Sequence, residues 1–268
     1  IKMDARLGNI DVYAKPKHMT FGEFVEKHYE PHYMSRNKSA DKMKCWVNYF
    51  NSIFKDKVMK SITPADIEEA VTTRTVGRKP RTRDHYLAII RRIFNYAVEL
   101  ELLERSPVKM KELKVDNTRH RFLSDKEALR LLDECRLSPA KHLYPMVMFA
   151  LHTGMRLGEI KSLKKESLVN GKIYLKSNHT KNSKVKIIPI NEELQAFIDD
   201  YLATHEDFDF NHGCRLAYNN AVKRAGIEDF RFHDLRHTFA SKLKAQNVND
   251  SVIQQLMGLE TPSMVQRY

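Results

Sequence analysis

The chain has 268 residues, enough for one large domain or two ordinary ones with a sizeable core. Its 46 Lys and Arg against 34 Asp and Glu leave a formal net charge of +12, which favours a polyanionic partner, nucleic acid first. No run is long and apolar enough to cross a bilayer and no signal pattern opens the chain; Cys45, Cys135 and Cys214 lie too far apart for a disulfide framework or a zinc finger, so the expectation is a soluble protein of a reducing cytoplasm without a metal site.

Thr20 and Glu23 have capping-box spacing, and Phe21, Phe24, Val25 and His28 then mark one face of a short helix. Met43, Trp46, Val47, Phe50 and Phe54 recur at the helical period for a second helix, and "TPADIEEAV" brings the Thr cap, Pro first position and acidic first turn of a third. Next comes "RTVGRKPRTR". Its Arg74, Arg78, Lys79, Arg81 and Arg83 carry positive charge into a loop around Gly77 and Pro80, read either as a solvated loop or as one that contacts phosphates. A long helix from about Thr82 has Leu87, Ile90, Ile93, Phe94, Ala97 and Val98 as its apolar face and is expected to end near "SPVKM".

Residues 109–121, "KMKELKVDNTRHR", lack an apolar stripe, carry Lys109, Lys111, Lys114, Arg119 and Arg121, and precede a fresh capping box at Ser124 and Glu127. They read as a basic interdomain linker. Residues 19–108 before it are helical throughout, whereas residues 122–268 add a candidate hairpin, "KIYLKSNHTKNSKVKIIPI", with β-branched arms around a polar turn. Helices resume at "NEELQAFIDDYL", where Leu194, Phe197, Ile198, Tyr201 and Leu202 share a face. The expected fold class is mainly α, an all-helical domain followed by a mostly helical one with a small antiparallel sheet.

In "ALHTGMRLGEIKSL" an apolar helix halts at Gly154 and a new one is expected to hold Arg156 in its first turn. A cation is unfavourable at a helix N-terminus unless an anion meets it. Glu159, three residues on, is one answer; a bound phosphate, gripped by an Arg fork and free N–H groups, is the other. In "FRFHDLRHTFASKL", His233 and Arg236 lie three apart on one helix face, either as a packed pair or as a proton-transfer group beside a permanent cation. His237 lies on another side. Near the end Gly258 can stop a helix, Thr261 can cap the next and Pro262 suits its first position, which puts Tyr268 about two turns into a helix.

Taken in order, "HTGMRLGEI", "HDLRHTFAS" and "LMGLETPSMVQRY" resemble the boxes of the tyrosine recombinases, the phage integrase family. The likeness extends to the helical first half, which looks like that family's core-binding domain. It implies that Arg156, His233, Arg236 and Tyr268 are catalytic, with Tyr268 the nucleophile, and that Lys181 in the hairpin turn is the mobile lysine that protonates the leaving 5′ oxygen; Lys176, Lys184 and Lys186 lie close to it in sequence. Glu159 becomes structural support for Arg156. One position departs: the family usually has His or Trp where this chain has Leu259, a lost hydrogen-bond donor to the reacting phosphate, so a slow enzyme or a catalytically impaired DNA-binding protein is the alternative. A relaxing enzyme of topoisomerase type is a third.

The resemblance further implies a 3′-phosphotyrosyl intermediate, no cofactor, and double-stranded DNA with inverted-repeat core sites as partner. It also implies a tetramer on DNA, accessory DNA-bending or directionality proteins, and a bacterial or mobile-element protein of the nucleoid. The basic loop and linker would meet DNA phosphates from both sides. On the same analogy residues 1–18 are the end of an N-terminal arm, and the oligomer-forming tail expected after the tyrosine is missing, which makes tetramer assembly by this chain doubtful.

Overall fold

The computed structural model describes residues 18–36, 40–113, 121–175 and 185–267, and the chain divides into two compact units, Ile1–Asn117 and Thr118–Tyr268. In the first unit the Thr20 capping box closes as its spacing predicts, with the Glu23 N–H on Thr20 Oγ1 at 3.2 Å and the Thr20 N–H on Glu23 Oε2 at 3.0 Å. It opens α1 (Phe21–Phe24), which widens into a π turn over Val25–Tyr29 before α2 (Glu30–Arg36). That wider turn lets Phe21, Phe24, Val25 and Tyr29 all be buried, while His28 stacks on Phe24. The other helices are α3 (Ala40–Phe54), α4 (Pro64–Thr75) and α5 (Pro80–Glu99). Phe21, Phe50, Phe54 and Phe94 fill the space between them, Phe21 meeting Phe54 edge-on at 5.7 Å.

Two helix limits differ from those read in the sequence. Pro80, pre-set for the first helical position, starts α5 early enough to put Arg81 and Arg83 in its first turn rather than in the loop. The helix ends at Glu99, well before "SPVKM", because its apolar stripe ends at Val98; Glu101 then takes a φ of 55°, and the Leu102 and Leu103 N–H groups fold back onto Ala97 O. This return buries Leu103. The chain afterwards runs along α5: Arg91 donates to Met110 O at 2.6 Å, Arg83 to Lys111 O at 3.2 Å, and the Leu113 N–H to Asp84 Oδ1 at 3.0 Å. Arg74 is likewise held within the unit, donating to the Tyr86 hydroxyl at 3.0 Å and lying over the Tyr49 ring. Lys114 and Arg119 lie outside the described residues.

The second unit starts with α6 (Asp125–Arg136), capped by the Ser124–Glu127 box. Its centre is α7 (Leu143–Thr153), whose unbroken apolar run is buried almost all round and packs on α6. A tight link leads to α8 (Leu157–Lys161). Three short strands follow, β1 (Leu168–Val169), β2 (Lys172–Leu175) and β3 (Lys186–Pro189), antiparallel in the order β1-β2-β3. Ile173 faces Ile188 and Leu175 faces Lys186 across β2 and β3. Since side chains alternate between faces, Lys186 shares the core face with Ile173, Leu175 and Ile188, all buried, whereas Ile187 is exposed.

Then come α9 (Glu192–Thr204), α10 (Arg215–Arg224), α11 (Asp234–Ala245) and α12 (Asp250–Met257). Helix α11 packs on α7, and the Leu123 N–H is fastened to it through Thr238 Oγ1 at 3.0 Å. A six-residue 3₁₀ helix, Pro262–Arg267, stands where an α-helix was expected, its Met264 N–H reaching Thr261 O at 3.1 Å. A run this short gains little from the α form, and Val265 is buried as it stands.

Gly154 closes α7 in the left-handed conformation, φ 59°, and a Cβ there would stand 2.5 Å from Phe239 Cδ1. Gly154→Ala therefore combines left-handed strain with overpacking and is expected to cost about 2–4 kcal/mol in urea unfolding. A loss below about 1 kcal/mol would show that Phe239 gives way at little cost.

Candidate active site

The short link between α7 and α8 delivers Arg156, which stands at the N-cap of α8 rather than in its first turn. The anion that meets it is Glu159: the Arg156 N–H binds Glu159 Oε2 at 2.9 Å and Nη1 binds Oε1 at 2.9 Å. Lys186 donates from β3 to Glu159 Oε2 at 3.2 Å. The carboxylate and the ammonium are both deeply buried, with side chains 2% and 5% exposed, while Arg156 keeps 26% of its side chain open.

Burial works against the charged form of both partners. In Glu159 it is outweighed by Lys186 and then by the N–H and guanidinium of Arg156, which leave the carboxyl below its ordinary pKa. In Lys186 burial prevails and, with Arg236 and Arg156 adding repulsion against the pull of Glu159, takes the ammonium down to about 8. The site thus holds one carboxylate shared by two cations, Arg156 and Lys186.

Arg236 comes from the first turn of α11 and is buried, with 3% exposure. It donates through Nη1 to Gly154 O at 2.6 Å and through Nη2 to Met257 O. These carbonyls belong to the C-terminal ends of α7 and α12, where helical donors run out and the helix dipole is negative. One guanidinium therefore caps two helices. Arg156 Nη2 reaches the next carbonyl, Gly258 O, at a longer 3.4 Å, so the two arginines are anchored on adjacent residues at the C-terminal end of α12.

His233 is the N-cap of α11 and is open to solvent on one side. Desolvation of its packed side, then the Arg236 cation and His237, whose ring stands edge-on at 5.6 Å, hold it below the ordinary histidine pKa. It is neutral at pH 7 and able to accept a proton. Leu259 is half-buried against Ala240, Ile253, Met257 and Val265, and it borders a cleft of about 830 Å³ together with Arg156, Glu159, Lys186 and Gly258. It offers that cleft no hydrogen-bond donor.

Arg156, Glu159, His233, Arg236 and Leu259 are thus gathered into one region, whereas Lys181 and Tyr268 lie outside the described residues. Arg121 is paired with Glu127 at 2.5 Å and rests over Phe230, a structural engagement within the second unit. Sequence reasoning missed the place of Lys186. Its signal was the two-residue offset from Ile188, which puts both on one face of a strand.

Residues 121–268 match the family model described as the phage integrase family. The chain is 28% identical to the integrase of Salmonella phage P22, over 87% of this chain and 72% of that protein. It is 32% identical to the integrase of Escherichia phage 186, over 75% of this chain and 60% of that one, and 32% identical to the shufflon-specific DNA recombinase of Escherichia coli, over 78% and 58%. The chain therefore spans about three fifths of the last two relatives. Among solved structures, a lambda integrase dimer bound to a COC′ core site superposes with a TM-score of 0.78 at 19% identity, over 94% of this chain and 77% of that one. A lambda integrase tetramer bound to a Holliday junction does so at 0.80 and 17%, over 100% and 87%. At such identities the likeness is one of fold.

The depressed pKa of His233 has a definite sign. The unfolded chain takes up its proton first, so the stability this group contributes is present above the ordinary histidine value near 6.5 and is lost as pH falls through the lower folded value. His233→Gln should flatten the fall in unfolding free energy between pH 7 and 5. Denaturation curves with equal slopes for the two proteins would mean that the ring titrates normally.

Proposed function

This chain belongs to the phage integrase family, and on that premise we propose that it cleaves and rejoins DNA strands at specific sites, with Tyr268 as nucleophile. The observation that carries the reading is the convergence of Arg156 and Arg236, from segments far apart in the chain, on the neighbouring carbonyls of Gly258 and Met257. Such a pair of forks suits the nonbridging oxygens of one phosphodiester.

The chemistry follows from the charges. A phenol with a pKa near 10 costs about 4 kcal/mol to hold as phenolate at pH 7, and cations beside the phosphate lower that cost while stabilising the pentavalent transition state. Neutral His233 is the candidate to take the phenolic proton, and Lys181 is the candidate acid for the departing 5′ oxygen. Attack forms the bond between Tyr268 Oη and phosphorus and breaks the bond from phosphorus to the 5′ oxygen, leaving a 3′-phosphotyrosyl link and a free 5′ hydroxyl. Because the link keeps the phosphodiester's energy, attack by a partner strand's hydroxyl completes exchange without ATP.

The substrate proposed is duplex DNA carrying paired inverted core sites, held by the basic residues of both units and exchanged in a tetramer inside a bacterial host. The P22 and 186 integrases and the shufflon recombinase support this reading as relatives, and the lambda assemblies as folds of the same kind. Leu259 favours a second reading, a slow or binding-only member, since an apolar side chain borders the cleft where a donor would serve.

A denaturing gel for covalent protein–DNA adducts on a pool of nicked inverted-repeat duplexes decides between them. Adduct is expected from this chain, none from Tyr268→Phe, and up to about 10²-fold more rapid formation from Leu259→His. No adduct from any version, alongside tight binding, would favour the binding-only reading. In a separate duplex-binding titration, neutralisation of six to ten phosphates predicts an affinity loss of about 10³- to 10⁵-fold between 50 and 200 mM salt. A flat response there would count against a phosphate clamp.

A further inference from the structure

We propose that Lys186 is a positioning residue for strand cleavage: by holding Glu159 Oε2 it keeps that carboxylate from closing over Arg156, and so leaves the guanidinium open to the scissile phosphate. The inference rests on the cleavage reading above and names a residue that reading does not use.

The geometry shows a carboxylate shared between two cations. An Arg–carboxylate pair left to itself favours two parallel bonds, one from each arm of the fork. Here only Nη1 of Arg156 reaches Glu159, at Oε1, whereas Oε2 takes the Arg156 N–H and the Lys186 ammonium. The other arm, Nη2, makes a loose 3.4 Å contact with Gly258 O, which an incoming phosphate oxygen can replace. Lys186 also supports that second anchor. Its stem passes beneath Gly258, where an added Cβ would stand 3.5 Å from Cδ.

Packing alone does not call for a lysine there. The position faces the core between Leu175 and Ile188, and an apolar side chain of the same length would fill it without burying a charge. What such a residue could not do is neutralise Glu159. Without the ammonium, a buried carboxylate and the DNA phosphate would compete for one guanidinium. Burial has brought Lys186 down to about 8, so it is still mostly protonated at pH 7.

The test is a double-mutant cycle in the full chain, comparing K186M, K186R, E159Q and E159Q/K186M with the unaltered protein. Two readouts are taken below the melting point of every variant: adduct formation on the nicked duplexes, and the stabilisation given by inorganic phosphate over chloride at equal ionic strength. K186M alone should slow adduct formation by about 10²-fold and abolish the phosphate effect, because a displaced guanidinium loses its near-attack geometry. K186R should retain most of both. With E159Q in place, K186M should change either readout by less than about threefold, since no carboxylate remains to be neutralised.

An equal loss in both backgrounds, or no loss from K186M alone, overturns the proposal. If K186M alone fails to fold, E159Q against E159Q/K186M decides: equal phosphate stabilisation supports the role and a large further loss overturns it. If the unaltered chain forms no adduct, the cleavage reading falls, and the phosphate cycle still decides whether Lys186 keeps Arg156 open.

Discussion

A carboxylate with almost no access to water, Glu159, is the constraint from which the second unit's candidate site is built. Left alone it would be protonated or expelled; it stays ionised because Arg156 and Lys186 reach it from two different elements. Each element has to be placed for that to happen. The Gly154 turn sets the N-terminus of α8 where the Arg156 N–H and fork can both meet the carboxylate, and the pairing of β2 with β3 turns Lys186 inward. Removing one member of such a buried set costs about 3–5 kcal/mol, because the remaining charge is stranded. The chemistry of the cleft and the local stability of the fold are therefore one property.

Arg236 solves a different problem with the same means. Helices α7 and α12 end with carbonyls that have no helical donor, in a region with little water to supply one. The guanidinium fills both needs, and the negative ends of two helix dipoles help to compensate its buried charge. A lysine could not span the two carbonyls with a rigid fork. Glycine is needed at both helix ends, since Gly154 and Gly258 each take a φ of 59° and turn the chain sharply while leaving a carbonyl to point at an arginine.

Much of this was legible in the sequence because it depends on local signals. The Thr20 and Ser124 boxes and the Thr63 cap mark helix starts through hydrogen bonds three residues long, and all three close in the structure. The apolar stripes of α3, α5 and α9 identify the buried faces, and the three motifs name Arg156, His233 and Arg236. What escaped was set at longer range. The end of α5 depends on Leu102 and Leu103 folding back to bury Leu103, which no propensity of "ELELLERSPV" requires. The role of Lys186 depends on strand register together with a carboxylate 27 residues away. Arg74 and Arg121, read as free positive charge, turn out to be held by Tyr86 and Glu127, partners that a composition count cannot see.

The two carbonyls that hold Arg236 lie 82 residues before it and 21 after it, and the contact from Arg156 to Gly258 spans 102. Contacts of such separation form late, since the chain must close long loops before they return anything. On a ribosome the order is stricter still. Helices α6 to α9 can emerge and pack while Arg236 and the carbonyls of Met257 and Gly258 are still unmade, so the pair of forks assembles only after α12 has emerged. The paired forks are therefore a late product of folding, complete only once the residues on both sides of α11 are in place.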